Sequence, residues 1–386
     1  MEVKQTPSLH RDWIDPHAYG IVKALQKQGY TTYLVGGCVR DLLLGKHPKD
    51  FDIATTARPN EVKKIIYNSY VIGRRFRLVL VKREEKQYEV ATFRRNVSED
   101  DDIENLPPGD NLFGSPEEDA LRRDFTINGL FYDPVADKLI DWTGGLKDLK
   151  AGIVRMIGNP NERLIEDPIR ILRAIRLTHM IQFHMESDLK KAISQTAPHL
   201  TQTPVPRRRE EWLKFLRLKD PSLPFLESYD LQVLQYAAPH LHKAFADPTS
   251  QEILLSYLYK KQEILPQEPY ELFGLLILAY IRAQMSTDPL KPITSKTMRQ
   301  HTALTSLMKD ELGMFKYEQE TVLRAIHFIP QFPSVYENRT KKTQRLNSFA
   351  RSQSFPLALQ MAKAEHLFSP EELLFWTQQY EKRKNL

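Results

Sequence analysis

The segment that most constrains the fold is a β-prone run followed by two glycines and a helix-forming run. Residues 31–35 favour a strand, Gly36 and Gly37 predict a tight turn, and residues 39–44 have helical character. A strand that turns into a helix places unpaired backbone N–H groups at one point, where they can bind an anion. Glycines let a phosphate approach the backbone, and Arg40 adds a forked cationic donor. The segment therefore predicts a phosphate-binding turn.

Two carboxylates follow this turn. Asp50 and Asp52 lie in a run with strand alternation, which predicts that both side chains project from the same face. Hard divalent ions in phosphoryl chemistry are usually held by one or two carboxylates plus the substrate's phosphates, so we predict Mg²⁺, or Mn²⁺, on this pair. Glu89, in a later predicted strand, is a candidate third catalytic acid, and an exposed strand carboxylate is the alternative interpretation. Either pattern alone is commonly a turn or a solvated edge, but together they predict nucleotidyl transfer.

These motifs resemble the head-domain signature of the class II branch of the polymerase-β nucleotidyltransferase superfamily. That branch contains the CCA-adding tRNA nucleotidyltransferases and the bacterial poly(A) polymerases. Residues 118–128 resemble its second motif, residues 166–176 resemble its nucleobase-reading motif, and residues 207–216 match more weakly. The resemblance covers roughly residues 20–220 and implies template-independent addition of nucleotides to RNA 3′ ends.

The second motif contains cationic and amide side chains one turn apart if it is helical. Such groups suit triphosphate and ribose contacts, although an Arg-Arg-Asp sequence on a helix is also typical of a surface ion-pair cluster. The predicted nucleotide-binding residues of this motif are Arg122, Arg123, Asp124 and Asn128.

The third motif predicts base selection. Asp167 and Arg170 are spaced i, i+3, so on a helix they share a face and present one acceptor beside one donor. That pair complements the amino and ring-nitrogen edge of adenine or cytosine, whereas guanine and uracil present the opposite polarity. An intrahelical ion pair is the alternative interpretation. The resemblance adds Arg173 and Arg176 to the nucleotide-binding set.

Composition limits the class of protein. A chain of 386 residues with 41% hydrophobic and 27% charged residues is ordinary for a soluble protein of two to three domains. The net charge of +6 suits a polyanionic partner such as RNA. One cysteine, Cys38, excludes an intrachain disulfide framework and favours a reducing compartment. The longest apolar run, near residues 272–281, is too short to span a membrane, so we expect a cytoplasmic protein without membrane contact.

The patterns along the chain predict an α+β fold. Short β-runs alternate with helices over residues 20–143, and residues 78–82 and 88–93 are the expected strands of a hairpin. Residues 146–386 read as all-α, and the polar, acidic residues 96–111 predict a long loop. We therefore expect an N-terminal nucleotidyltransferase head with a small mixed sheet, then an all-α neck, body and tail. The predicted domains are a catalytic head at 1–145, a nucleobase-reading neck at 146–220 and an RNA-binding body and tail at 221–386.

Clustered cations in the helical part are candidate RNA contacts, with Trp212, Phe349 and Phe355 as nearby aromatic residues. Charged helix faces are often simply solvated. Within the weaker match at residues 207–216, Arg207, Glu211 and Lys214 look more like braces for the nucleotide-reading helix than RNA contacts. The candidate RNA-binding cations are Arg207, Arg208, Lys341, Lys342 and Arg345.

The remaining question is which member of the family the chain resembles more. Residues 71–81 and 110–119 resemble the poly(A) polymerase signatures, whereas the long basic tail expected of many poly(A) polymerases is not in this sequence. We expect AMP transfer from ATP to an RNA 3′ end, of mRNA or tRNA, with CCA addition from CTP and ATP as the alternative. A non-catalytic RNA-binding protein or an aminoglycoside-type nucleotidyltransferase is less favoured, because the carboxylates and Arg40 and Arg123 are intact and the helical part is large. The sequence does not reveal which proteins bind this chain.

Overall fold

The computed structural model describes residues 9, 11–73, 78–95, 112–264 and 268–384. The predicted loop at 96–111 lies outside these residues, as do parts of the 71–81 and 110–119 signatures. The chain divides into two compact units, Met1–Arg163 with Phe183–Leu189, and Leu164–Gln182 with Lys190–Leu386. The predicted division into head, neck and body stays a prediction.

A mixed sheet dominates the first unit. In the described part of the chain it has seven strands in the order β3-β4-β5-β2-β1-β6-β7. Only β2 and β5 pair in parallel within it, and β4 and β5 form the predicted hairpin, which is confirmed. The strands are β1 Thr32–Val35, β2 Asp52–Thr55, β3 Ser69–Ile72, β4 Leu78–Arg83, β5 Lys86–Thr92, β6 Leu130–Asp133 and β7 Lys138–Asp141.

Helices pack against this sheet. The first begins at Pro16, which suits a first helical turn, and Asp15 caps it by accepting the backbone N–H groups of His17 and Ala18. It packs with α3 against strands whose inward residues, such as Ile53 and Val90, are buried. The helices here are α1 Pro16–Lys27, α2 Gly37–Leu43, α3 Pro59–Ile65, α4 Pro116–Leu121 and α5 Gly145–Ala151.

The rest of the chain is mainly helical. The prediction of an all-α segment after residue 145 needs one correction, because β8 Ile153–Val154 and β9 His184–Met185 form a short parallel pair. Two-residue strands leave too little alternation for a sequence pattern to reveal. The α+β class is confirmed. The helices are α6 Pro160–Glu166, α7 Ile169–Ile181, α8 Ser187–Thr196, α9 Val205–Leu216, α10 Ser222–Asp230, α11 Val233–Ala237, α12 Pro239–Ala246, α13 Pro248–Ile264, α14 Pro269–Gln284, α15 Ser295–Gln300, α16 Thr302–Ser306, α17 Lys316–Phe328, α18 Phe332–Glu337, α19 Thr343–Arg351, α20 Phe355–Ala364 and α21 Pro370–Lys384.

Aromatic side chains form much of the core of the second unit. Trp212 is fully buried and stacks on Phe225 with ring centroids 5.6 Å apart. Phe349 and Phe355 pack around Phe332. The prediction that Trp212, Phe349 and Phe355 lie beside RNA is therefore wrong, because their rings are core groups. No helix among the described residues is long and apolar enough to cross a bilayer.

Candidate active site

The glycine turn brings a cation and a carboxylate to the start of α2. Gly36 has φ of +75°, a backbone conformation that L side chains rarely adopt. A Cβ placed there would lie 3.1 Å from Arg123 Nη1 and 3.9 Å from Asp52 Oδ2. The predicted strand, turn and helix are therefore present, and the turn lies directly against residues from the first two sequence motifs.

Three acidic side chains lie near this turn. Asp52 begins β2 and pairs in register with Glu89 on the neighbouring parallel strand β5, so both carboxylates project from one face of the sheet. Asp50 precedes β2, which corrects the prediction that it shares a strand with Asp52. It is nevertheless close enough to interact electrostatically with both Asp52 and Glu89.

The electrostatics of this acidic group suit a divalent cation. Partial burial by surrounding protein raises the pKa of Asp52 although its side chain reaches solvent; Arg123 lowers this pKa and Asp50 raises it further. Burial also raises the pKa of Glu89, and Asp52 and Asp50 add to the shift. A cation would relieve this mutual repulsion. The described residues contain no group of three or more His, Cys, Asp or Glu arranged to hold a metal, but Mg²⁺ commonly takes one or two carboxylates plus substrate phosphates.

Arg40 lies beneath the turn and is buried. Its Nε and Nη2 donate to Asp41 Oδ1 at 2.9 and 2.7 Å, and its Nη1 donates to Asn128 Oδ1 at 2.6 Å. Asn128 in turn donates from Nδ2 to Asp124 Oδ1 at 3.3 Å. The predicted nucleotide-binding residues Arg40, Asn128 and Asp124 are thus brought together as a hydrogen-bonded chain that ties α2 to the second motif.

Asp119 is the residue that the sequence reasoning missed. It is buried and accepts hydrogen bonds from Arg122 Nε and from Nε and Nη2 of Arg123. The Arg94 backbone N–H donates to the same carboxylate. The signal was present, since Asp119 precedes the two arginines by three and four residues, a spacing that places them on one helical face. Asp119 holds Arg123 toward Gly36, and the Arg123 guanidinium also lies 5.0 Å from the Phe131 ring centroid.

The predicted nucleobase-reading motif lies in the second unit. Helix α7 begins at Ile169, and Pro168 occupies its cap position just after Asp167. Arg207 holds Asp167 with two hydrogen bonds, Nη1 to Oδ1 at 2.9 Å and Nη2 to Oδ2 at 3.0 Å. Arg170 Nη1 donates to Glu166 Oε2 at 2.7 Å, four residues before it on the chain.

A second brace holds the middle of α7. Arg176 Nε donates to Glu211 Oε2 at 2.9 Å, and Lys214 Nζ donates to Glu211 Oε1 at 2.8 Å. Burial alone would raise the pKa of Glu211, but the charges and hydrogen bonds of Arg176 and Lys214 outweigh it and leave the pKa below its usual value. Arg173 is half-buried on the same helix. Glu211 and Arg207 thus hold Arg176 of α7 and Asp167 before it, the contacts expected of braces for the predicted nucleotide-reading helix.

Known proteins match these same segments. Residues 32–155 match the family described as "Poly A polymerase head domain", and residues 182–245 match "Probable RNA and SrmB- binding site of polymerase A". A CCA-adding enzyme of Leuconostoc mesenteroides is 30% identical over 349 residues, which are 86% of this chain and 85% of that protein. The chain belongs to the nucleotidyltransferase family that contains the poly(A) polymerases and the CCA-adding enzymes.

Other members of this nucleotidyltransferase family match over shorter segments or by fold. Poly(A) polymerase I of Haemophilus influenzae is 44% identical over 209 residues, 52% of this chain and 46% of that protein. The chain thus spans about half the length of the poly(A) polymerases that it matches. The Bacillus stearothermophilus CCA-adding enzyme in complex with CTP has a TM-score of 0.70 at 24% identity, covering 96% of this chain and 83% of that one. That likeness supports the fold.

Within this family member, the predicted RNA-binding cations lie in three different environments. Arg208 is buried and donates to the backbone carbonyls of Ala237 and Asp310, so its predicted contact with RNA does not fit this structure. Lys341, Lys342 and Arg345 are exposed, and their role stays a prediction. Arg207 is half-exposed while it holds Asp167.

The cysteine of this family member is not a reactive group. Cys38 is buried in the first turn of α2 and donates from Sγ to the Val35 carbonyl at 3.2 Å. Burial, together with the nearby Asp52 charge, raises the pKa of the thiol to about 12. A thiol that stays protonated is a poor nucleophile, which agrees with its expected role as a small packing residue.

Proposed function

We propose that this chain adds nucleotides to RNA 3′ ends without a template, with AMP from ATP as its main product. The observation that carries the proposal is the convergence of Gly36, Arg123 and Asp52 at the start of α2, with Glu89 in register beside Asp52. The group combines an open turn, a cation and adjacent carboxylates, which is the chemistry that a nucleoside triphosphate and a divalent metal require.

In this proposal the 3′-hydroxyl oxygen of the RNA bonds to the α-phosphorus, and the bond to pyrophosphate breaks. Asp50 and Asp52 would hold Mg²⁺ or Mn²⁺, with Glu89 beside them, and the metal would neutralise charge on the phosphates when bound. The Gly36–Gly37 turn and Arg123 would orient the triphosphate. Arg40 and Asn128 would keep that turn in place through their hydrogen bond. Most of the rate enhancement would come from positioning and charge neutralisation.

Selection of the base would depend on α7 and the residue before it. Asp167 accepts hydrogen bonds, and Arg207 fixes its carboxylate plane through both oxygens. A fixed acceptor discriminates better than a mobile one, because it cannot move away from a base that presents another acceptor to it. Arg170 would supply the donor, and Arg173 and Arg176 would support the same helix.

The preference for ATP rests on sequence likeness. Both matched family models describe polymerase A segments, and the Haemophilus poly(A) polymerase is 44% identical over its matched part. A second candidate is CCA addition to tRNA from CTP and ATP, which is favoured by how much of a CCA-adding relative's length the chain matches. The Leuconostoc CCA-adding enzyme matches across 85% of its own length.

Product sizes separate these candidates. Purified protein would be incubated with Mg²⁺ and either ATP alone or CTP plus ATP, on an unstructured RNA and on a tRNA that lacks its 3′ end. Long A-tails on the unstructured RNA with ATP alone support poly(A) synthesis. An extension that stops at CCA and is confined to the tRNA makes the protein a CCA-adding enzyme. No extension of either RNA refutes the proposal.

A further inference from the structure

A row of paired residues crosses four strands of the sheet and starts at the acidic group. Asp52 on β2 pairs with Glu89 on β5, Glu89 pairs with Leu80 on β4, and Leu80 pairs with Tyr70 on β3. Directly paired residues on neighbouring strands project from the same face of a sheet. Tyr70 therefore shares a face with the two carboxylates.

This row of the sheet face is open to solvent toward β3. Asp52 and Glu89 are exposed, Leu80 is half-buried and 52% of Tyr70 is exposed. The alternating residues of β4 on the opposite face, such as Val79, are buried. In the described sheet β3 is an edge strand, so three strand spacings of about 4.8 Å place Tyr70 roughly 14 Å from Asp52. A few nucleotides of single strand can span that distance.

The Tyr70 ring is paired with a cation. Lys82 Nζ lies 5.7 Å from its ring centroid, and Lys82 follows Leu80 by two residues, so strand alternation keeps it on the same face. The hydroxyl of Tyr70 donates to Asn68 Oδ1 at 2.9 Å, which orients the ring. An exposed aromatic ring beside an ammonium group is the combination that binds a single strand, because the ring stacks on a base and the cation attracts a phosphate.

We propose that Tyr70 and Lys82 bind the single-stranded RNA acceptor a few nucleotides upstream of its 3′ end. In this arrangement Tyr70 stacks on one base and Lys82 contacts the adjoining phosphate, while the 3′-terminal nucleotide lies along the row at Asp52 and Glu89. The inference rests on the proposed RNA 3′-end transfer and adds an acceptor-positioning site to it. Base stacking tolerates any sequence, so the site would hold the growing end at every cycle of addition.

Tyr67 provides a matched control at the same edge. Its side chain is 80% exposed and also carries a cation, since the Arg83 guanidinium lies 5.2 Å from its ring centroid. Arg83 comes two residues after the buried Val81 on β4, so it lies on the same face as Val81 and Val79. The pair of Tyr67 with Arg83 therefore belongs to the face opposite Tyr70. Loss of Tyr67 removes an even more exposed tyrosine without touching the proposed path.

The direct test is the affinity of the full chain for a labelled single-stranded oligoadenylate, measured by fluorescence anisotropy without nucleotide. Tyr70→Ala should weaken binding roughly 5- to 150-fold, the range that corresponds to loss of one base–aromatic stack. Tyr70→Phe should keep most of the affinity because the ring remains, and Tyr67→Ala should match the wild type. Unchanged affinity of Tyr70→Ala, or an equal loss in Tyr67→Ala, would overturn the proposal.

Steady-state kinetics separate this inference from the proposed activity. Tyr70→Ala should raise the KM for RNA by a similar factor and leave the KM for ATP unchanged. A wild-type protein that extends no RNA refutes the activity but leaves the binding comparison valid. A wild-type protein that extends RNA, with Tyr70→Ala equal to it in RNA affinity and KM, refutes only the acceptor site. Tyr70→Ala could instead lose the binding of a protein β-strand to the β3 edge while its RNA affinity equals that of wild type. That result would assign this edge to a protein partner and also overturn the inference.

Discussion

Replacement of Gly36 by alanine tests the geometry on which the site depends. The φ of +75° and ψ of −132° at Gly36 lie in a region that is nearly reserved for glycine, so an alanine there stores about 1–3 kcal/mol of backbone strain. The new methyl would also lie 3.1 Å from Arg123 Nη1, closer than an ordinary contact, so the guanidinium must move. Both effects act at the point where Arg123 and Asp52 meet.

The expected magnitudes follow from these two effects. A loss of about 1–3 kcal/mol in the free energy of unfolding corresponds to a melting temperature about 2–12 °C lower for a unit of this size. Displacement of Arg123 should lower the rate of nucleotide transfer by about 10- to 100-fold, since small misplacements of orienting groups have effects of that order. Circular dichroism during thermal unfolding measures the melting temperature. Single-turnover transfer to RNA measures the rate of nucleotide transfer.

Gly37 is the matched control. It has no positive φ, and a Cβ there would lie 3.5 Å from Arg40 Nη2, an ordinary contact. Gly37→Ala should therefore leave the melting temperature unchanged or raise it slightly, because alanine restricts the unfolded chain. If Gly36→Ala melts at the wild-type temperature and transfers nucleotides at the wild-type rate, the turn does not have the strained geometry described here and the reasoning fails.

Further predictions concern pH and two neighbouring arginines. Burial would raise the pKa of Asp15, but hydrogen bonds from Lys86, Tyr88 and two backbone N–H groups outweigh it and lower the pKa from 3.8 to about 2. Asp15 therefore stabilises the fold above pH 3.8 by about 2 kcal/mol, and this contribution disappears as the pH falls toward 2. Urea unfolding of wild type and Asp15→Asn should show that the difference between their unfolding free energies shrinks from neutral to acidic pH. A difference that stays constant would contradict the prediction. Arg207→Ala should lower base discrimination between ATP and GTP while costing at most about 1 kcal/mol of stability, because its ion pair with Asp167 is half-exposed. Arg209→Ala should lower the free energy of unfolding by about 3–5 kcal/mol, since it leaves the fully buried Glu318 without its cationic partner. Equal unfolding free energies for Arg207→Ala and Arg209→Ala would refute this contrast.

Local motifs predicted the part of the site that depends on neighbouring residues in the chain. The strand, glycine turn and helix at residues 31–45 and the β4–β5 hairpin follow from periodicity and turn chemistry, and both are present. The pairing of Asp52 with Glu89 is different, because it joins strands that are distant in sequence. Sequence alternation places a side chain on a face but does not say which strand lies beside it.

The predictions that place Arg208 and Trp212 at an RNA surface are wrong for the same physical reason. Arg208 and Trp212 stand in a run of cations and aromatics that is typical of an RNA surface, yet both are buried against other helices. Helical periodicity within α9 cannot reveal that the helix is packed on more than one side. Asp119 is a related case, because the local sequence marks Arg122 and Arg123 as ligands but does not show that this carboxylate orients them.

The central claim is that Asp52 supports nucleotide transfer to RNA, and it is tested most directly by labelled AMP incorporation. Wild type and Asp52→Ala would be compared for transfer from labelled ATP to an unstructured RNA in Mg²⁺, with the melting temperature of each protein measured alongside. We predict that wild type labels the RNA and that Asp52→Ala does not. The variant should melt no lower than wild type, because the Asp52 side chain reaches solvent and burial disfavours its charge. Labelling by Asp52→Ala at the wild-type rate would contradict the account.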